Sequence, residues 1–175
     1  MIKFPDRFAL LHPLWFLAVL VAVFVATPLL AVRPTGILVG LIVAISSAGV
    51  FLPLLWAHGI YNLAAQTGGG RFGRLAFPVV ELAIVVGAIL AFGSGNDGPT
   101  GVLGAFIFLP VLGYFFCLWL AAAALVRSES SERKSALAPT LGTFVLMIYW
   151  MIGAWFIRPR VKRLTERLEA DPRSA

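Results

Sequence analysis

Apolar residues run through this chain in long blocks, and polar residues gather in the short stretches between them. Five blocks can be drawn, at 13–32, 36–57, 75–93, 101–126 and 137–157. At 1.5 Å per residue, helices of about 19 to 26 residues reach about 28 to 39 Å, enough for a hydrocarbon core of roughly 30 Å. Lipid offers no hydrogen-bond partner to a bare backbone, so unbroken helices are the expected form. The pattern predicts an all-α, polytopic transmembrane helix bundle over 1–157. It has five spans, or four if 137–157 does not cross.

The links carry turn chemistry. Arg33-Pro34-Thr35-Gly36 joins the first two blocks, with proline fixing φ and glycine permitting positive φ, and predicts an antiparallel hairpin. The 58–74 link starts as a continuation of the second helix and breaks at Gly68-Gly69-Gly70. Asn96, Asp97, Gly98 and Pro99 make a third turn, and 127–136 mixes charges with serines. The first block follows Lys3 and Arg7, as a secretory signal would. Its apolar run is longer than a signal core, with no small-x-small site before a polar start, so a retained helix is expected. In the segment 158–175, Val161, Leu164 and Leu168 recur at helical spacing among Lys162, Arg163, Glu166 and Arg167. That predicts a basic amphipathic tail lying on the membrane surface, with Arg158, Arg160, Lys162, Arg163 and Arg167 against lipid headgroups.

Composition agrees with the blocks. Of 175 residues, 60% are hydrophobic and 13% charged, and the mean hydropathy is +0.94. A soluble domain is nearer half apolar and a quarter charged. Fourteen Lys and Arg against eight Asp and Glu give +6. The basic residues border apolar blocks, so anionic lipid is the expected partner and nucleic acid is not. The compact, loop-poor chain with Cys117 as its one cysteine suits the cytoplasmic membrane of a bacterium, and allows no internal disulfide.

Orientation is undecided by five spans, because seven basic residues then fall on each side. With four spans, thirteen of the fourteen share one side and only Arg33 lies opposite.

Helices in lipid associate where small residues let backbones approach. Gly36, Gly40, Ala44 and Ala48 form one such stripe, and Gly113, Cys117 and Ala121 another, expected to pack within the bundle before serving a second copy. Pro110, central in the fourth block, frees the carbonyl of Phe106 and predicts a kink.

Glu81 is the ionisable side chain placed inside a block. A carboxylate at the membrane centre costs about 2.5–3.5 kcal/mol on insertion scales, and needs a partner. Arg74, seven residues earlier and close to the same helical face, is the candidate. An interhelical tether is the simpler role; binding a proton or cation is the functional one. His12 and His58 are expected at one membrane level, where two facing imidazoles can hold a haem or help hold a metal, though interfacial placement beside Trp15, Trp56 and Tyr61 explains them as well. No complete catalytic, cofactor or nucleotide motif is present, and no cofactor is expected. Gly68 to Arg74 lacks the Lys-Ser/Thr ending and preceding strand of a phosphate loop. The expected function is therefore a non-enzymatic membrane protein, a subunit or accessory or assembly factor of a membrane complex, with lipids, other subunits or itself as partners. A small oligomeric transporter or channel using Glu81 is the alternative, and an electron carrier through His12 and His58 a third.

Overall fold

The computed structural model describes residues 9, 10, 12, 14, 15, 17–19, 21, 22, 25, 36–66, 73–93, 102–129 and 137–170; within the helices, side chains are described for 49–66, 73–87, 109–129, 137–150 and 152–170. Among the described residues all regular structure is helical: α1 (Gly36–Gln66), α2 (Gly73–Gly93), α3 (Val102–Glu129), α4 (Leu137–Ile148) and α5 (Trp150–Ala170). The first apolar block lies largely outside the described residues, as do the links at 33–35, 67–72, 94–101 and 130–136. Its described members from Leu14 onward are helical. The side chains at Gly36, Gly40, Ala44 and Ala48, the first small-residue stripe, also lie outside them.

Three apolar blocks become single helices with bounds close to those expected. α1 runs past its block to Gln66, and both α1 and α3 continue through an internal proline, Pro53 and Pro110. One helical stretch among the described residues, Leu109–Glu129, is long and apolar enough to cross a membrane by length and composition.

The fifth block departs from expectation. It is not one helix of 137–157: α4 stops at Ile148, Tyr149 turns the chain, and α5 folds back along α4. The Tyr149 amide still donates to the Val145 carbonyl (3.1 Å), while the Tyr149 carbonyl accepts from the amides of Ile152 (2.9 Å) and Gly153 (2.8 Å) to start α5. The reversal brings the backbone of Gly153 onto the carbonyl of Leu146, where any Cβ would collide. Seventeen residues apart in sequence, Arg160 and Thr143 meet across the two helices: Nη1 donates to the hydroxyl at 2.9 Å. A twelve-residue α4 is about 18 Å long, too short to cross a core of about 30 Å.

α5 passes without interruption through the boundary at 157/158. Val161, Leu164 and Thr165 are buried and Leu168 packs against the core. That stripe of the tail faces the protein, where α5 touches α1 and α3.

α3 holds the assembly together, touching α1, α2, α4 and α5. Of its described side chains, Leu109 and Leu112 face outward, whereas Cys117, Leu118, Ala121, Ala122 and Leu125 are buried. The core therefore sits toward one end, where Leu54, Ile60 and Leu63 of α1, Phe77 of α2, Met147 of α4, and Ile157 and Val161 of α5 join those α3 residues. The second small-residue stripe is part of it. A Cβ on Gly113 would stand 2.8 Å from Val80 Cγ2, so α2 and α3 approach there as closely as glycine allows.

Candidate functional site

On α2, Gly73, Phe77 and Glu81 follow one another at four-residue steps and so share a face. That face meets His58 and Tyr61 of α1, three residues apart on theirs. The contacts form a ladder. The Gly73 amide donates to the Tyr61 hydroxyl at 3.0 Å, satisfying one of the four amides that a helix start leaves unpaired. The Tyr61 ring fills the place a Cβ of residue 73 would take. Phe77, fully buried, stacks on His58 with centroids 4.8 Å apart and planes 13° from parallel, and lies tilted against Tyr61 at 5.5 Å.

Glu81 closes the ladder, with Oε1 3.0 Å from His58 Nδ1. Helical side chains lean toward their own N-terminus, so Glu81 reaches back past Phe77 to the imidazole. The side chains are 13% exposed for His58 and 20% for Glu81, which leaves this pair at the edge of the apolar seam. From the third helix, the Cys117 thiol lies within electrostatic range of Glu81.

This replaces the expected partner. Arg74 is exposed and makes no ion pair among the described residues. Seven residues separate it from Glu81, about 10 Å along the helix, whereas His58 stands directly opposite. The sequence carried both halves of the true pair, but their separation of 23 positions hid it.

The two histidines are held by different neighbours. His58 is committed to Phe77 and Glu81. The His12 ring meets Trp155 of α5 edge-on at 5.6 Å, and His12 Nδ1 accepts from the Leu14 amide at 3.3 Å. Among the described residues no group of three His, Cys, Asp or Glu is placed to hold a metal ion.

A second polar cluster ties α3, α4 and α5. Arg160 grips Glu129 through both guanidinium arms: Nε donates to Oε1 at 2.7 Å, and Nη2 donates to Oε2. Its Nη1 takes the Thr143 hydroxyl, which itself donates to the Pro139 carbonyl at 2.8 Å. Planar, two-pronged pairing of this kind suits arginine and not lysine. Three of the five N–H donors of Arg160, expected at the headgroups, are thus engaged within the protein. Lys162 lies 3.8 Å from Glu166 on the outer face of α5, while Arg158, Arg163 and Arg167 point outward.

The remaining aromatics do not converge on a pocket: Trp119 meets Phe144 edge-on at 5.4 Å, and Tyr149 is exposed in the turn. Every buried side-chain nitrogen and oxygen among the described residues has a hydrogen-bond partner. Compared with protein families, with curated proteins and with solved structures, the chain matches none.

Proposed function

We propose that the chain is a small, non-enzymatic, multi-pass protein of a bacterial cytoplasmic membrane, serving as a subunit or accessory factor of a larger membrane assembly. One observation carries the membrane reading: the patterning of α2 and α4 is inverted. On α2, Glu81 turns inward while Leu75, Val79 and Leu82 face outward at 76%, 64% and 64% exposure. On α4, Thr140 and Thr143 are buried while Leu137, Leu141 and Val145 are exposed. Each such Leu or Val left in water forgoes about 1.5–3 kcal/mol of burial, and contiguous outward faces of this kind call for an apolar surrounding. Lengths agree: α1, α2 and α3, of 31, 21 and 28 residues, reach about 46, 32 and 42 Å.

The accessory reading follows from how polarity is used. In both clusters polar groups pair with one another and tie helices together, while the outward apolar faces stay available to neighbours. Crosslinking in native membranes, followed by mild detergent extraction and identification of retained chains, tests it. Reproducible recovery of particular unrelated membrane proteins is expected; recovery of this chain alone would overturn the accessory role. Extraction from vesicles by alkaline carbonate would overturn the membrane reading itself.

A second reading draws on the His58–Glu81 pair. Carboxylates and histidines paired between membrane helices are the usual elements of proton paths. Under this reading the purified protein alone moves protons or cations in liposomes, and Glu81→Gln abolishes the flux.

A further inference from the structure

We propose that α4 and the first turns of α5 form a hairpin seated in a single leaflet on the positively charged side of the membrane. There the exposed arginines of α5, Arg158, Arg163 and Arg167, bind anionic lipid headgroups. The proposal rests on the membrane reading above and adds to it a surface, a ligand and an orientation.

Two long-range contacts exclude a full crossing by 137–157. Glu129, at the end of α3, is held by Arg160, so the chain is back at the level it left after α3. His12, which precedes the first apolar block, meets Trp155 on the returning arm, three residues before Arg158. Had the fifth block crossed, Arg160 would stand about 30 Å from Glu129, and Trp155 a similar distance from His12.

The hairpin's outer surface has the dimensions of one leaflet. Its exposed apolar residues extend down α4 from Leu137 to Tyr149, about 18 Å, and return through Ile152, Trp155 and Phe156, about 12 Å to Arg158. One leaflet of a core of about 30 Å offers about 15 Å. Beyond Phe156 the outward residues change from apolar to basic within two positions, so the arginines emerge where headgroups begin. Trp155, three residues before Arg158, carries a polar N–H on an apolar ring and suits the approach to the headgroups.

Charge complementarity selects the lipid. With the hairpin returning, the start of α2, the end of α3 and the far half of α5 share one face. That face holds all seven Lys and Arg among the described residues. This is the asymmetry that orients membrane proteins with their basic side in the cytoplasm, toward the anionic leaflet.

The test uses the full chain. Cys117 is its one cysteine and is buried, so cysteines introduced singly as Arg127→Cys, Tyr149→Cys and Glu169→Cys report their own surroundings. Intact spheroplasts and inverted vesicles are treated with a membrane-impermeant maleimide. Positions 127 and 169 are expected to label from the cytoplasmic face only, and 149 from neither face. Labelling of 127 and 169 from opposite faces would overturn the hairpin while the chain still resists carbonate, which separates this failure from that of the membrane reading. Labelling of 149 from either face would place the tip in water and overturn it too. A disulfide between Tyr149→Cys copies would give the surface to a second copy instead of lipid. For the headgroups, protein in mild detergent is offered equal phosphatidylglycerol and phosphatidylcholine, and the retained lipid is weighed by native mass spectrometry. Preference for phosphatidylglycerol is expected to fall about fivefold for each arginine removed, at about 1 kcal/mol per charge. Equal retention of both lipids, or no change in the Arg158→Ala, Arg163→Ala, Arg167→Ala triple variant, would overturn the arginine assignment.

Discussion

α4 and the distal half of α5 lie close in sequence, pack in one hairpin and obey opposite rules. α4 turns Thr140 and Thr143 inward and Leu137 and Leu141 outward. Past Phe156, α5 turns Val161 and Leu164 inward and Arg158, Lys162, Arg163, Glu166 and Arg167 outward, as a helix in water does. Both helices share the core built on α3, so the core does not account for the difference. Under the hairpin proposed above, what differs is the medium each outer face meets, and the outward residues change from apolar to basic between Phe156 and Arg158.

That comparison can be broken most sharply at α4. Leu141→Asp on its outward face is expected to cost about 3 kcal/mol of insertion free energy, read as a reduced carbonate-resistant fraction. A change within about 0.5 kcal/mol, ordinary for a surface site in water, would mean that α4 faces water as α5 does.

The turn between the two regions comes next. Gly153→Ala pushes a Cβ into the Leu146 carbonyl, and the backbone cannot give way as a side chain would. A loss of about 2–3 kcal/mol is expected, read as a lower melting temperature in detergent. Gly142→Ala, which has open space around it on α4, is the matched control. It is expected to gain up to about 1 kcal/mol from helix propensity.

Arg160→Ala releases the clasp that holds both helices against α3, and is expected to cost about 1–2 kcal/mol. Glu129→Gln combined with it should add little, and a double-mutant cycle reads that coupling. Simple additivity would mean that the two side chains act separately. The smallest effect belongs to the outer face of α5. Lys162→Ala breaks only an exposed pair with Glu166 and is expected to change stability by less than about 0.5 kcal/mol.

Much of the helical architecture can be read from the chain, because long apolar runs bounded by turn chemistry mark where each helix forms. The blocks at 36–57, 75–93 and 101–126 become α1, α2 and α3 for that reason. The fifth block misleads for the same reason: a run of apolar residues has the same composition whether it crosses or doubles back. Gly153 and the two buried threonines are visible in it, but a glycine in a helix and a threonine on one have many explanations. The polar clusters were half legible. Glu81 stands out as a carboxylate inside an apolar block, yet its partner sits on another helix, and the nearest cation in sequence lies about two turns away along its own helix.

By itself, then, the order of residues determined where helices form and how apolar their surroundings must be, since those are local and compositional properties. Only the folded arrangement decided which side chains meet: His58 with Glu81, Arg160 with Glu129, the tail stripe with the core. Those pairings depend on how helices approach, which is set by single glycines and by distances between residues far apart in the chain. The same contacts return the fifth block to the side it came from, a result that no count of hydrophobic residues contains.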